Sequence, residues 1–273
     1  MKSKKGLLVR SIVYAGALLC LSALIAIILY ILIKGIPHLS LSLFSFNYNS
    51  ENVSLFPALV NTVTMTALAL LIAAPLGIFS AIYLVEYAKR GNKFVGIIRM
   101  TAETLSGIPS IVYGLFGYLM FVTTFRWGYS LLAGALTLSI MILPVIMRTT
   151  EEALKSVSDS YREGSFGLGA GKLRTVFKVV LPSAVPGILS GIILSIGRIV
   201  GETAALIYTA GTVAKIPSDL LSSGRTLSVH MFVLWNEGFN TNESYATAVV
   251  LLIIVVGLNA LSHAAAKRLM KGQ

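Results

Sequence analysis

The sequence predicts an all-α, polytopic membrane protein with six transmembrane helices. Three observations carry this prediction. Hydrophobic residues make up 56% of the 273 and charged residues only 12%, about half the charge that covers a soluble domain, and the mean hydropathy is +0.83. Apolar stretches of about the 20 residues needed to cross the hydrocarbon layer recur near 9–33, 58–85, 104–125, 130–147, 184–210 and 245–265. Between them lie short basic clusters, denser on alternate sides, as the bias of cytoplasmic loops toward Lys and Arg requires.

The first stretch follows Met1-Lys2-Ser3-Lys4-Lys5, a basic start like that of a signal peptide. Its apolar run outlasts the roughly 7–15 residues of a cleavable signal, and no small-residue cleavage site closes it. A retained span is expected. Cys20, the single cysteine, is expected to be a small buried apolar residue.

With the N-terminus inside, the inner segments hold Lys2, Lys4, Lys5 and Arg10; Lys89, Arg90, Lys93 and Arg99; Arg148, Lys155, Arg162, Lys172, Arg174 and Lys178; and Lys267, Arg268 and Lys271. The outer segments hold only Lys34, Arg126, Lys215 and Arg225, and Arg198 lies inside a span. Both termini are therefore expected in the cytoplasm. The chain reads as one transmembrane domain over 1–273, with outer loops at about 34–57 and 211–244 and a long inner loop at about 148–183. This scatter of charge excludes a nucleic-acid partner despite the net +11, because no single basic face forms. Glu86 and Glu103, near inner ends of spans, are expected to be interfacial or salt-bridging. His38, His230 and His263 lack metal-ligand spacing, and no nucleophile–base set is readable, so an active site of the chain's own is not expected.

The inner loop is rich in glycine and charge. Ser160 with Glu163 forms a capping box, which predicts a short helix starting there. Gly169 suits a helix stop, and Pro182 predicts a break before the fifth span. The run Gly167-Leu168-Gly169-Ala170-Gly171-Lys172 is not a nucleotide-phosphate loop: Phe166 and Leu173 stand where it needs Gly and Ser or Thr.

In the fifth span, Arg198 and Glu202 are four apart, which on a continuous helix places them on one face. Charge at that depth is costly and marks a protein interior or an aqueous path. The residues alone leave two readings open: a self-neutralising pair that locks helices, or part of a substrate path. Gly187, Gly191, Gly197 and Gly201 form small-xxx-small pairs suited to close helix packing.

The inner loop resembles the EAA signature of ABC importer permeases. Glu163, Gly169, Leu181 and Pro182 match its offsets, Val179 replaces Ile, and Gly164 and Ser165 stand in for the two alanines. Gly197-Arg198-Ile199-Val200-Gly201-Glu202-Thr203-Ala204-Ala205 is similar to a segment of phosphate permease subunits of the PstA type, with Ala205 where that family usually has Pro. Ser106-Gly107-Ile108-Pro109-Ser110-Ile111-Val112-Tyr113-Gly114 is similar to another. The resemblance implies a type I ABC importer permease (MetI-like) fold. It implies an inner loop whose Glu163, Gly164, Ser165, Gly169, Leu181 and Pro182 couple to an ATPase, and a substrate path through Arg198, Glu202 and Thr203. It also implies import of inorganic phosphate, with a C-type permease as heterodimer partner, two ATPase subunits and an extracytoplasmic phosphate-binding protein. No cofactor is expected on this chain, since ATP and Mg²⁺ belong to the ATPase. Physics alone leaves another oxyanion, molybdate or sulfate, or a stand-alone secondary transporter, as alternatives. The latter predicts inverted halves with paired broken helices, which the sequence does not display.

Overall fold

The computed structural model describes residues 4–89 and 91–271. Lys2 and Arg90 lie outside the described residues, as do the side chains of Lys4, Lys5, His263, Lys267, Arg268 and Lys271. All regular secondary structure in the described residues is helical. In order the helices are α1 (Lys4–Gly35), α2 (Phe56–Ile82), α3 (Lys93–Ser106), α4 (Ser110–Gly117), α5 (Leu131–Ser156) and α6 (Asp159–Gly167), then α7 (Lys172–Thr175), α8 (Leu181–Gly201), α9 (Ala204–Thr209), α10 (Leu227–Glu237) and α11 (Thr241–Lys271). Five runs are long and apolar enough to span a membrane: Val9–His38, Phe56–Tyr87, Leu131–Ser156, Lys172–Gly201 and Thr241–Leu261. A sixth arises if α3 and the run Ser110–Thr124, bent by 102°, are taken as one span.

Lipid tails are as apolar as leucine, so in a membrane close approach and interhelical hydrogen bonds decide which helix faces meet. On α2 the inward positions Ala69, Ala73, Gly77 and Ala81 recur every fourth residue and are buried. A Cβ at Gly77 would come within 2.9 Å of Ile146, so glycine there sets the spacing of α2 and α5. Ser139 Oγ donates across the same interface to the Ala69 carbonyl at 3.1 Å. Around α5 the buried core collects Met65, Leu138, Met141, Ile142, Ile146, Ile199 and Leu206. A second cluster, including Leu84, Val95, Met147, Leu154, Val176 and Val180, closes the end that carries α6. The expected small-residue packing holds in part: a Cβ at Gly187 would meet Ala153 at 2.6 Å, whereas Gly197 and Gly201 face open space.

Three expectations are corrected. The third span is not one straight run over 104–125. Pro109 has no N–H and sits extended at ψ 141°, and the Gly107 and Ile108 N–H groups fold back on the Thr104 and Leu105 carbonyls. Pro182 does not interrupt the chain. It lies in the first turn of α8, where a missing N–H costs little, and a widened turn over Val176–Val180 carries the helix from α7 into it. The third is Cys20, which is exposed. α1 stands apart from the bundle and packs chiefly along α11, where Tyr30 and Tyr245 hydroxyls meet at 3.2 Å, so most of its surface faces outward.

Candidate translocation path and coupling surface

α6 caps the end of the bundle between α5 and α7. Its N-cap is Ser158, whose hydroxyl accepts from the Ser160 N–H at 3.4 Å. The capping box expected at Ser160 and Glu163 is therefore displaced by two residues: Ser158 is the same residue type one half-turn earlier, and its partner position three residues on is Tyr161. The helix ends as foreseen at Gly169, whose φ of +80° is a left-handed conformation that glycine adopts without a Cβ penalty. The Ala170 N–H reaches the Ser165 carbonyl and the Gly169 N–H the Phe166 carbonyl, the paired bonds of a Schellman stop.

Sequence reasoning missed what holds α6 in place. Arg162 Nη2 meets Glu86 Oε1 at 2.7 Å, with both side chains mostly buried, and donates to the Leu154 carbonyl at 2.9 Å, while Nη1 donates to the Val157 carbonyl at 2.8 Å. Glu86 sits in the widened turn Tyr83–Tyr87 that continues α2 at its end, so the expected salt bridge is realised, but with a partner too distant in sequence to foresee. Glu103, by contrast, is exposed. Glu151, buried at the end of α5, binds Arg99 at 2.7 Å and Lys155 at 2.6 Å. On the outward side of α6, Glu163 and Gly164 are exposed, beside exposed Tyr161, Phe166 and Leu168. Ser165 turns inward, its hydroxyl 2.8 Å from that of Thr175. Leu181 and Pro182 are elsewhere, at the start of α8. Of the residues assigned to coupling, Glu163, Gly164, Ser165 and Gly169 share one short helix and its cap, and Leu181 and Pro182 do not join them.

The second site lies at the other end of α8. The helix stops at Gly201, Glu202 turns extended at ψ 129°, and α9 begins two residues on. Span five is thus broken where 184–210 was expected to be continuous, and Arg198 and Glu202 do not form the i,i+4 pair. Glu202 is instead buried, accepting the Ala205 N–H on Oε1 at 3.0 Å and the Ser228 hydroxyl on its carbonyl at 2.5 Å. A proline at position 205 has no N–H to give, so Ala205 is what lets Glu202 cap α9. Thr203 Oγ1 lies 3.4 Å from the Gly201 carbonyl. Arg198 is half-buried, and among the described residues its guanidinium has no hydrogen bond or ion pair; it interacts electrostatically with Tyr113.

Tyr113 itself donates to the Leu105 carbonyl at 2.7 Å, bracing the α3–α4 bend. One residue on, Gly114 lies so close to α9 that a Cβ would stand 2.8 Å from the Ala205 Cα. The Ser106–Gly114 and Gly197–Ala205 segments, far apart in the chain, therefore meet around a bent helix, a broken helix and one unpaired cation. The Arg198 guanidinium thus lies one turn before the point where the α8 backbone unwinds at Glu202.

The helical bundle, with a bend, a break and a short helix at one end, has the fold of type I ABC importer permease subunits. Residues 73–272 match the family described as binding-protein-dependent transport system inner membrane component, and the chain belongs to that family. It is 37% identical over 242 residues to the probable ABC transporter permease protein YqgI of Bacillus subtilis, covering 80% of this chain and 79% of that one. To the phosphate transport system permease protein PstA 2 of Mycobacterium bovis it is 34% identical over 248 residues, with 89% and 82% covered. Among solved structures, a chain of a bacterial alginate ABC transporter superposes with a TM-score of 0.66 at 18% identity, covering 98% of this chain and 99% of that one. A chain of the MetNI methionine ABC transporter, facing inward, gives 0.60 at 19%, with 79% and 94% covered. At such identities these two show the fold alone. The chain is a multi-pass membrane transport subunit and not an enzyme.

Proposed function

We propose that this chain moves inorganic phosphate into the cell as one of two permease subunits. A C-type permease completes the path, two ATPase subunits drive it, α6 docks on one of them, and an extracytoplasmic phosphate-binding protein delivers the ion. The observation that carries the reading is the unpaired Arg198 guanidinium at the break between α8 and α9. A guanidinium stays charged at every working pH and offers planar paired donors that match two oxygens of an oxyanion. Glu202 is turned away into its own cap, so Arg198 keeps its charge for the ion. Exposed Tyr161, Phe166 and Leu168 around Glu163 support α6 as the docking helix, since an apolar cluster on a charged end of the molecule fits a protein groove. The likeness to phosphate permeases supports phosphate over other oxyanions.

The test is ATP-driven uptake into vesicles that contain all the subunits. Labelled phosphate should accumulate, and a hundredfold excess of sulfate or molybdate should leave its entry unchanged. Faster accumulation of either of those anions would assign a different substrate.

A further inference from the structure

Beside α6 a cavity of about 800 Å³ opens between the end of α2, the start of α3, and α5 to α7. Five cations line it, Lys89, Arg99, Lys155, Arg162 and Lys172, against the carboxylates Glu86 and Asp159. Counting Glu151, which pairs with Arg99 and Lys155, the wall still carries an excess of positive charge. Two cations are unspent. Lys89 has no side-chain partner among the described residues, and Lys172 has only the ring of Tyr87, 5.1 Å from its centroid.

The surroundings fix the depth of this cavity. α3 lends it Val95, Gly96 and Arg99, while Phe94, Ile97 and Met100, one stripe at helical spacing, are exposed. A short helix with one apolar exposed face and one basic face lies in the membrane interface. Tyr83 and Tyr87, at the end of α2, are exposed as well, and exposed tyrosines at the end of a span sit at headgroup level. We infer that this cavity binds the phosphate of an anionic phospholipid headgroup of the inner leaflet, with Lys89 and Lys172 as its free ligands. Basic pockets at cytoplasmic helix ends hold such headgroups by charge. The lipid would bridge the α2–α3 turn and α7, the two strips of chain that flank the docking helix. The inference rests on this end of the molecule being cytoplasmic and not on which ion is transported.

The assembled importer is purified from membranes containing phosphatidylglycerol and examined by native mass spectrometry through detergent exchange. One phosphatidylglycerol should stay bound per copy of this chain, and phosphatidylcholine should not replace it. In Lys89→Gln with Lys172→Gln, retention should fall at least roughly tenfold at equal recovery of the complex. Titrating the parent complex with phosphatidylglycerol in phosphatidylcholine nanodiscs gives the same answer without any variant. No retained anionic lipid, or equal retention in the double variant, would overturn the site. Displacement of the lipid by millimolar inorganic phosphate would assign the cavity to a soluble anion instead.

Discussion

Arg198 is the residue on which the proposed substrate path turns. Because it is not paired with Glu202, deleting its charge leaves no orphaned carboxylate behind. Arg198→Gln should therefore assemble normally and lose ATP-driven phosphate uptake by roughly ten- to hundredfold, the worth of a charge-assisted hydrogen bond. Uptake at the parent rate would reduce Arg198 to packing. A second residue-scale consequence concerns His230 on α10, in the outer segment. Its ring is wholly buried and neither nitrogen has a hydrogen bond of good geometry. Burial, with the nearby Arg225 charge adding to it, pushes its pKa down from 6.5 to about 3, and only a weak interaction with the Val53 backbone opposes this. Above pH 6.5 the ring is neutral whether the chain is folded or unfolded, and it has no effect. Below that the unfolded chain takes up the proton first, so stability declines by up to about 1.4 kcal/mol per pH unit. Thermal unfolding of the complex across pH 7 to 4.5 should show this slope, and His230→Gln should flatten it. An unchanged slope in the variant would place the titrating group elsewhere.

At the scale of elements, α6 separates docking from folding. Glu163 takes no part in the cap that starts the helix, so Glu163→Lys should leave α6 formed and the chain inserted. The reversed charge on the exposed face should reduce recovery of the ATPase with the permease by roughly tenfold, about the worth of one charged contact, with uptake falling in proportion. Ser158→Ala is the complementary change. It removes the cap, at about 1 kcal/mol, and should lower stability while sparing docking at low temperature. Full recovery of ATPase with Glu163→Lys would move the docking site off this helix. The elements also show where sequence reading reaches. The apolar runs were legible because length and composition alone decide them, and Gly169 was legible because only its backbone geometry matters. The break at Glu202 was not, since nothing local forbids a helix through Gly-Glu-Thr-Ala; the partners that stabilise the turn, Ser228 in the first turn of α10 and Ala205 in α9, belong to the folded chain. Pro182 misled for the opposite reason. Its local rule is sound, but the widened turn just before it lets the helix continue.

For the whole molecule, the placement of basic residues predicts α6 and both termini on the cytoplasmic side, and this is directly checkable. In a Cys20→Ser background, a cysteine at exposed Ser218 should react with a membrane-impermeant maleimide added outside intact cells. A cysteine at exposed Ser160 should react only after the membrane is opened. The reverse pattern would invert the topology and with it the assignment of α6. Bundle architecture was largely readable from the sequence, but the standing apart of α1 was not: a span that faces lipid or another subunit looks, in composition, like one at the centre.

The uninterrupted run from Lys172 to Gly201 also has mechanical meaning. Thirty helical residues at about 1.5 Å each make a strut of about 45 Å. One end is fastened to α6 through Ser165 and Thr175, and the other carries Arg198. Since the helix continues through Pro182, a push on α6 would be carried along α8 toward the proposed ion site as displacement, provided that the widened turn Val176–Val180 and Pro186 stay rigid. Spin labels at Lys172 and Leu194 should therefore hold a constant separation through the ATP cycle, while the distance from either to a label at Lys93 changes. The strut ends at the gap before α9, and on the proposed function that gap is where stroke would become opening.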